Sequence, residues 1–327
     1  MTRTGLVAVA VAIALSALGT LASAAFAQDY PTRPIKVVVP QPPGGGFDLT
    51  ARTVSEPLAA LLGQPVIVEN RPGSGTLVGT EVAARADPDG YTLLLGALAN
   101  LALNPGLYEK LPYDPQRDFV PIGLVASFPY TLVARKDLPQ NTLKEIVDYA
   151  RANPGKLTYA SGGNGSGQHI GAAVIWHLTK VDVTHVPYKG AQAAYQDLLA
   201  GRVDVFLDNS VTARPHVQGG RVKAVAVSAA QRLPYHPDVP TVRETGVVDF
   251  DMATWMGYFA PAKTPAPVVA RLRAEFDKVA QMPDVVGRFE KSGATPMRLS
   301  VAETEALVKR DIEKWTALIR AAGIRAD

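Results

Sequence analysis

The sequence predicts an α/β protein of two lobes, each a mainly parallel sheet flanked by helices, with two chain crossovers between them. Three observations predict it. β-Branched runs alternate with segments whose apolar residues recur every three or four positions, the pattern of βαβ units. Two such blocks each carry a glycine-rich loop directly after a strand. Three helical segments at the C-terminus have no strands of their own. They are expected to pack back on the first lobe, so the chain crosses near residues 126–130 and again near 251–255.

The elements follow in order. Arg3, an uncharged Ala/Val/Leu stretch over 6–18 and the small-x-small sequence Ala25-Phe26-Ala27 read as a cleaved export signal covering 1–27. Ile35-Lys36-Val37-Val38-Val39 is the first strand, and Val54, Leu58, Leu61 and Leu62 mark the helix after it. Strands at 66–69 and 91–95 flank a helix at 77–85. Runs at 119–126 and 130–134 are strand-like. A second block then repeats the pattern: helix 143–152, strand 157–160, helix 170–178, strand 183–186, helix 191–200 and strands 203–207 and 222–227. A Pro-punctuated stretch leads to a last strand at 255–260 and to helices at 268–279, 285–291 and 302–322. The 327 residues exceed what one core usually serves. The expected division is 28–127 plus 254–327 for lobe 1 and 128–253 for lobe 2.

Composition removes several function classes. A net charge of +3, evenly spread, gives no footprint for nucleic acid. No apolar run after the signal is long enough to span a membrane. The absence of cysteine excludes disulfides, thiolate metal sites, a lipidated N-terminal cysteine and a cysteine nucleophile. There is no G-x-S-x-G elbow and no H-E-x-x-H, and nothing in the spacing of Ser166, His169 and Asp208 supports a triad. His169 and His177 share a helix, but about 12 Å of helical rise separates them, too far to share a metal. No enzyme, metal or cofactor is expected.

In open α/β sheets ligands sit beyond the carboxyl ends of strands. The first loop there, with Gly44, Gly45, Gly46, Phe47 and Asp48, has the layout of an anion cradle: glycines admit close backbone approach, and helix-start N–H groups point at negative charge. A tight turn with Asp48 as helix cap is the alternative. Phe47-Asp48 stands where a P-loop needs Lys-Ser or Lys-Thr, and Leu49 fills the last glycine position of G-x-G-x-x-G, so a carboxylate fits better than a phosphate. The third loop, with Ser161, Gly162, Asn164, Gly165 and Ser166, mirrors the first, and His169 lies in the helical turn after it. Lys189 and the pair Asp208-Asn209, at the ends of strands in the second block, are expected at the cleft rim. The second loop, 73–79, is read as structural: its G-x-G-x-x-x-G spacing has no acidic partner for a ribose.

An ordered set of motifs then carries a family resemblance: Tyr30-Pro31-x-Arg33-Pro34-Ile35, Pro43-Gly44-Gly45-Gly46-Phe47-Asp48-x-x-Ala51-Arg52, Glu69-Asn70-Arg71-Pro72-Gly73-x-Gly75, Asp87-Pro88-x-Gly90-Tyr91-Thr92-Leu93, Leu111-Pro112-Tyr113-Asp114, Val186-Pro187-Tyr188-Lys189-Gly190 and Pro240-Thr241. The chain closely resembles the Bug-type substrate-binding proteins of tripartite tricarboxylate transporters. The resemblance implies a type II-like periplasmic-binding-protein fold that closes on its ligand as a hinged trap. It implies a small organic carboxylate (a di- or tricarboxylate, acidic amino acid or aromatic acid) held by the first and third loops, largely through backbone N–H groups and waters. It further implies a monomer in the periplasm delivering to a two-subunit membrane permease; a sensor presenting its ligand to a membrane kinase is the alternative. Two departures stand out. Residues 96–105, often Ser/Thr-bearing in relatives, are nearly all apolar here, which implies a less polar ligand body if they line the cleft. Ala193 stands where relatives carry Pro.

Overall fold

The computed structural model describes residues 30–325; the export signal expected over 1–27 lies outside them. β1 (Ile35–Val39) is a buried β-branched strand. α1 (Gly46–Leu62) follows and buries Phe47, Ala51, Val54, Leu58 and Leu62, one face at helical spacing. β2 (Val66–Asn70), α2 (Leu77–Ala84) and β3 (Thr92–Ala97) complete the first parallel unit, in the order β2-β1-β3. A π-turn over Ala99–Leu103 and a one-turn helix α3 (Asn104–Leu107) lead away from β3. The apolar run 96–103 is buried throughout, as core rather than open surface.

β4 (Phe119–Arg135) is one strand of 17 residues where the sequence suggested two. Its first part pairs antiparallel with β9 (Ala253–Pro261), out to Pro129 against Ala253. Its second part pairs antiparallel with β7 (Val205–Asn209) and β8 (Val222–Val227). The parallel unit β5 (Thr158–Ser161) with β6 (Thr184–Pro187) and β7 lies beyond. The sheet is therefore mixed: parallel units at its two ends, antiparallel pairs in the middle, in the order β2-β1-β3-β9-β4-β7-β5-β6. The antiparallel centre arises because β4 leaves the first half and β9 returns to it, side by side.

Ser228 ties the two crossings together. It is fully buried; its Oγ accepts from Tyr130 N at 2.8 Å and donates to Met252 O, while its N–H donates to Tyr130 O at 2.8 Å.

Helices α4 (Leu143–Ala152), α5 (Gly167–Thr179), α6 (Ala191–Leu199) and α7 (Ser210–Gln218) belong to the second half. The C-terminal helices α8 (Ala266–Gln281), α9 (Pro283–Ser292) and α10 (Val301–Ala321) pack on the first, as expected. They are not wholly without strand: β10 (Thr295–Pro296) pairs with β4 at Ala126 and Ser127. The Ser300–Glu303 capping box starts α10, reciprocally satisfying two end groups. The carbonyl end of α9 is satisfied from the other half. Ser210 Oγ and Tyr235 OH donate to Gly293 O at 3.2 and 3.1 Å, and Arg214 Nη1 donates to Lys291 O.

Candidate functional site

The first loop ends at a helix start that no side chain caps. Gly45 holds the N-cap position and makes no side-chain bond. The first intrahelical bond is Leu49 N to Gly45 O at 3.0 Å, so the N–H groups of Gly46, Phe47 and Asp48 precede the helical ladder. Asp48 does not cap the helix. Its Oδ2 accepts from Gly44 N and from Arg52 Nε, each at 3.0 Å, bracing the loop from behind. Burial opposes its ionisation, but the Arg52 hydrogen bond, the Gly44 N–H and the Asn70 amide outweigh it and hold the carboxyl below its usual range. Gly44 has φ +80°, a conformation that suits glycine. Gly45 does not: its φ is −88°, and a Cβ there would meet nothing nearer than 3.9 Å. The fold tolerates a side chain at 45, so its bareness is free to serve an approaching ligand.

The third loop satisfies its own groups. Ser166 caps α5, its Oγ accepting from His169 N at 3.3 Å. His169 Nδ1 accepts from Gly165 N at 3.2 Å, which leaves the ring proton on Nε2. Ser161 Oγ accepts from Gly163 N at 3.1 Å and lies 2.7 Å from His185 Nε2. The His169 and His185 rings stack at 4.1 Å, and His185 stacks on Tyr159 at 4.8 Å. Burial, with the His185 ring adding to it, pushes His169 down to about 3; burial pushes His185 down to about 4. Both are neutral at ordinary pH. Ser166 Oγ meets the backbone of His169, not its ring, so no triad forms.

The structure brings the loops of the two halves together. A Cβ on Gly46 would lie 3.4 Å from Asn209 Cγ, and one on Gly190 would lie 3.4 Å from Pro42 Cγ. Gly190 N in turn donates to Gly162 O at 3.3 Å, so the turn before α6 links the first loop to the third. Lys189 is exposed on that turn, and Asn164 is exposed on the third loop.

Asp208, expected at the rim, lies inside the second half instead. It is fully buried, accepting from Gln168 Nε2 at 3.3 Å and from Thr212 Oγ1. Burial pushes it up to about 6, against the hydrogen bonds from Thr212 and Gln168. Strand alternation turns its neighbour Asn209 the other way, toward Gly46. Asn209, expected at the rim together with Asp208, is the member of the pair that faces the first loop. It also caps α7, its Oδ1 accepting from Val211 N at 3.0 Å. Among the described residues no cluster of three or more His, Asp or Glu is placed to hold a metal ion, and no helix is long and apolar enough to cross a membrane.

Known proteins resemble this chain in sequence and fold. A family model described as "Tripartite tricarboxylate transporter family receptor" matches residues 50–324. The chain is 33% identical to Protein BugT of Bordetella pertussis, over 93% of this chain and 94% of that protein. Among solved structures, MatC from Rhodopseudomonas palustris with bound malate superposes with a TM-score of 0.85, at 37% identity, covering 89% of this chain and all (100%) of that one. An R. palustris protein solved with adipate gives a TM-score of 0.86 at 31% identity, covering 91% of this chain and 99% of that one.

Proposed function

The chain belongs to the tripartite tricarboxylate transporter receptor family, and from that premise we propose that it captures a small organic carboxylate between its two halves and delivers it to a two-subunit membrane permease. Receptors of this family are periplasmic and are binding proteins rather than an enzyme class. The proposed protein is an exported monomer, cleaved near Ala27, without catalytic activity, its lobes divided as 28–127 plus 254–327 and 128–253.

The observation that carries the reading is the uncapped start of α1. Three consecutive N–H groups, a positive helix end and a glycine N-cap sit where the first loop presses on the second half. No phosphate-binding lysine accompanies them, which favours the softer demand of a carboxylate. The third loop, prearranged by its own hydrogen bonds, supplies the opposing wall, with His169 Nε2–H as a neutral donor. Charge-assisted bonds are worth about 1.5–3 kcal/mol each. Several of them, less the cost of association, reach the roughly 8 kcal/mol of a micromolar binder. Two of the similar structures hold malate and adipate, both dicarboxylates, which places dicarboxylates first in a search.

Thermal unfolding against a panel of mono-, di- and tricarboxylates tests this. A ligand at 100 times its Kd adds about 2.7 kcal/mol to the folded state and raises Tm by several degrees. A panel with no shift removes the carboxylate reading.

A further inference from the structure

The second glycine loop, structural by its sequence, has a further place in the structure. Gly73, Ser74 and Gly75 take φ values of 152°, 43° and 70°; Ser74 is one of two non-glycine residues with positive φ among those described. Such strain persists only where the surroundings hold it. Here Ser74 O accepts from Thr76 N at 2.8 Å, from Leu77 N at 3.1 Å and from Tyr108 OH at 3.1 Å.

The effect is to lift the bare Cα of Gly75 against the third loop. A Cβ on Gly75 would come under 3.0 Å from the backbone oxygen of Asn164 and 3.1 Å from Gly165 C. The reverse face is equally bare: the missing Cβ of Gly165 points at Leu107 Cδ1 and Tyr108 OH, 3.5 and 3.7 Å away. At Gly75 backbone of one half therefore meets backbone of the other with no side chain between, while Gly165 faces side chains of the first half. Gly79, in the same motif, differs. Its missing Cβ would strike Pro40 and Arg71 O, both within its own half, and its role is ordinary packing. For Gly75 the three nearest atoms all belong to the opposite half.

We propose that Gly75 is the seat on which the third loop lands when the halves close, so that its lack of a side chain sets how tightly a bound ligand is retained. The proposal rests on the ligand-trap reading above and deepens it by adding a closure residue that touches no ligand. Gly63 provides a matched control. It has nearly the same φ, +71°, and nothing lies within 4 Å of its missing Cβ. Gly75→Ala and Gly63→Ala therefore place an alanine at nearly the same positive φ, and only the first puts a methyl group in the path of the other half.

The test measures both variants with malate and adipate as probes, together with a spin-label distance between Asp87→Cys and Lys156→Cys, exposed positions on opposite halves of a chain with no native cysteine. The expected result is equal loss of ligand-free stability in the two variants. Affinity should fall tenfold or more in Gly75→Ala alone, mostly through faster dissociation, with a longer label distance. Unchanged dissociation in Gly75→Ala overturns the seat. So does a ligand-free stability loss far beyond that of Gly63→Ala, since the contact would then be permanent packing. If wild type and Gly63→Ala bind neither probe, the ligand assignment has failed. The label distance then decides the seat by itself: lengthened by Gly75→Ala it stands, unchanged it falls.

Discussion

The first and third loops occupy equivalent places, each between a strand and a helix, yet they are built on opposite plans. The first spends no side chain on its helix start: Gly45 caps nothing, and the one carboxylate nearby, Asp48, turns back to Gly44 and Arg52. The third is internally complete, with Ser166, His169 and Ser161 each bonded to its own backbone. The difference teaches how two similar motifs divide a task. Unsatisfied N–H groups attract an anion, while satisfied ones fix a wall in place. A trap made of two open loops would hold no shape without ligand, and one made of two closed loops would have nothing to offer it.

The largest effect should come from removing access to the open loop. Gly45→Val leaves an unstrained backbone and open space for its side chain, so Tm should stay within about 2 °C of wild type. Losing two charge-assisted bonds should weaken carboxylate binding about 100-fold or more by calorimetry. Normal binding by Gly45→Val would place the open end elsewhere.

Acid separates the two plans by their titrating groups. His169 and His185 are depressed below the usual histidine value, so the unfolded chain binds their protons first. Their contribution is whole above about pH 6.5 and is lost as pH falls toward 4, by a few kcal/mol at most. Asp48, depressed below the usual carboxylate value, keeps its contribution until pH falls below about 4. The protection factor of the Gly165 amide, whose acceptor is the His169 ring, should therefore fall between about pH 6.5 and 4, once the slower intrinsic exchange in acid is divided out, while that of Gly44 holds. Equal acid sensitivity of both amides would erase the distinction.

The smallest effect belongs to the cap. Ser166→Ala removes the acceptor for His169 N and should cost about 1 kcal/mol in urea unfolding. The loss in affinity should be only a few-fold, because the wall is loosened rather than removed.

The fold class was legible because its evidence is local: runs of Val and Ile, apolar spacing and glycine loops all read within ten residues. What escaped is long-range or is masked by proline. The sequence reads as two separate runs at 119–126 and 130–134, but β9 pairs alongside out to Pro129 and joins them as β4. Pro215 and a polar sequence hid α7, which Asn209 caps and the sheet supports. In the candidate site both glycine loops could be named, but not their different wiring, since that depends on where Asp48 and His169 turn. Asp208 and Asn209 show the limit most sharply: they are adjacent in sequence, and strand alternation alone puts one inside and the other against Gly46.

β4 belongs to both halves without a break. At about 3.3 Å per residue its 17 residues make a rod roughly 55 Å long. A slack linker lets two bodies swing freely. A hydrogen-bonded strand transmits torque, and here Ser228 splices it to the returning chain. Any separation of the halves must therefore be taken up as a change of twist along β4 and its neighbour β9, shared over many residues. A motion that parted the jaws would wring a continuous strand rather than bend a loop.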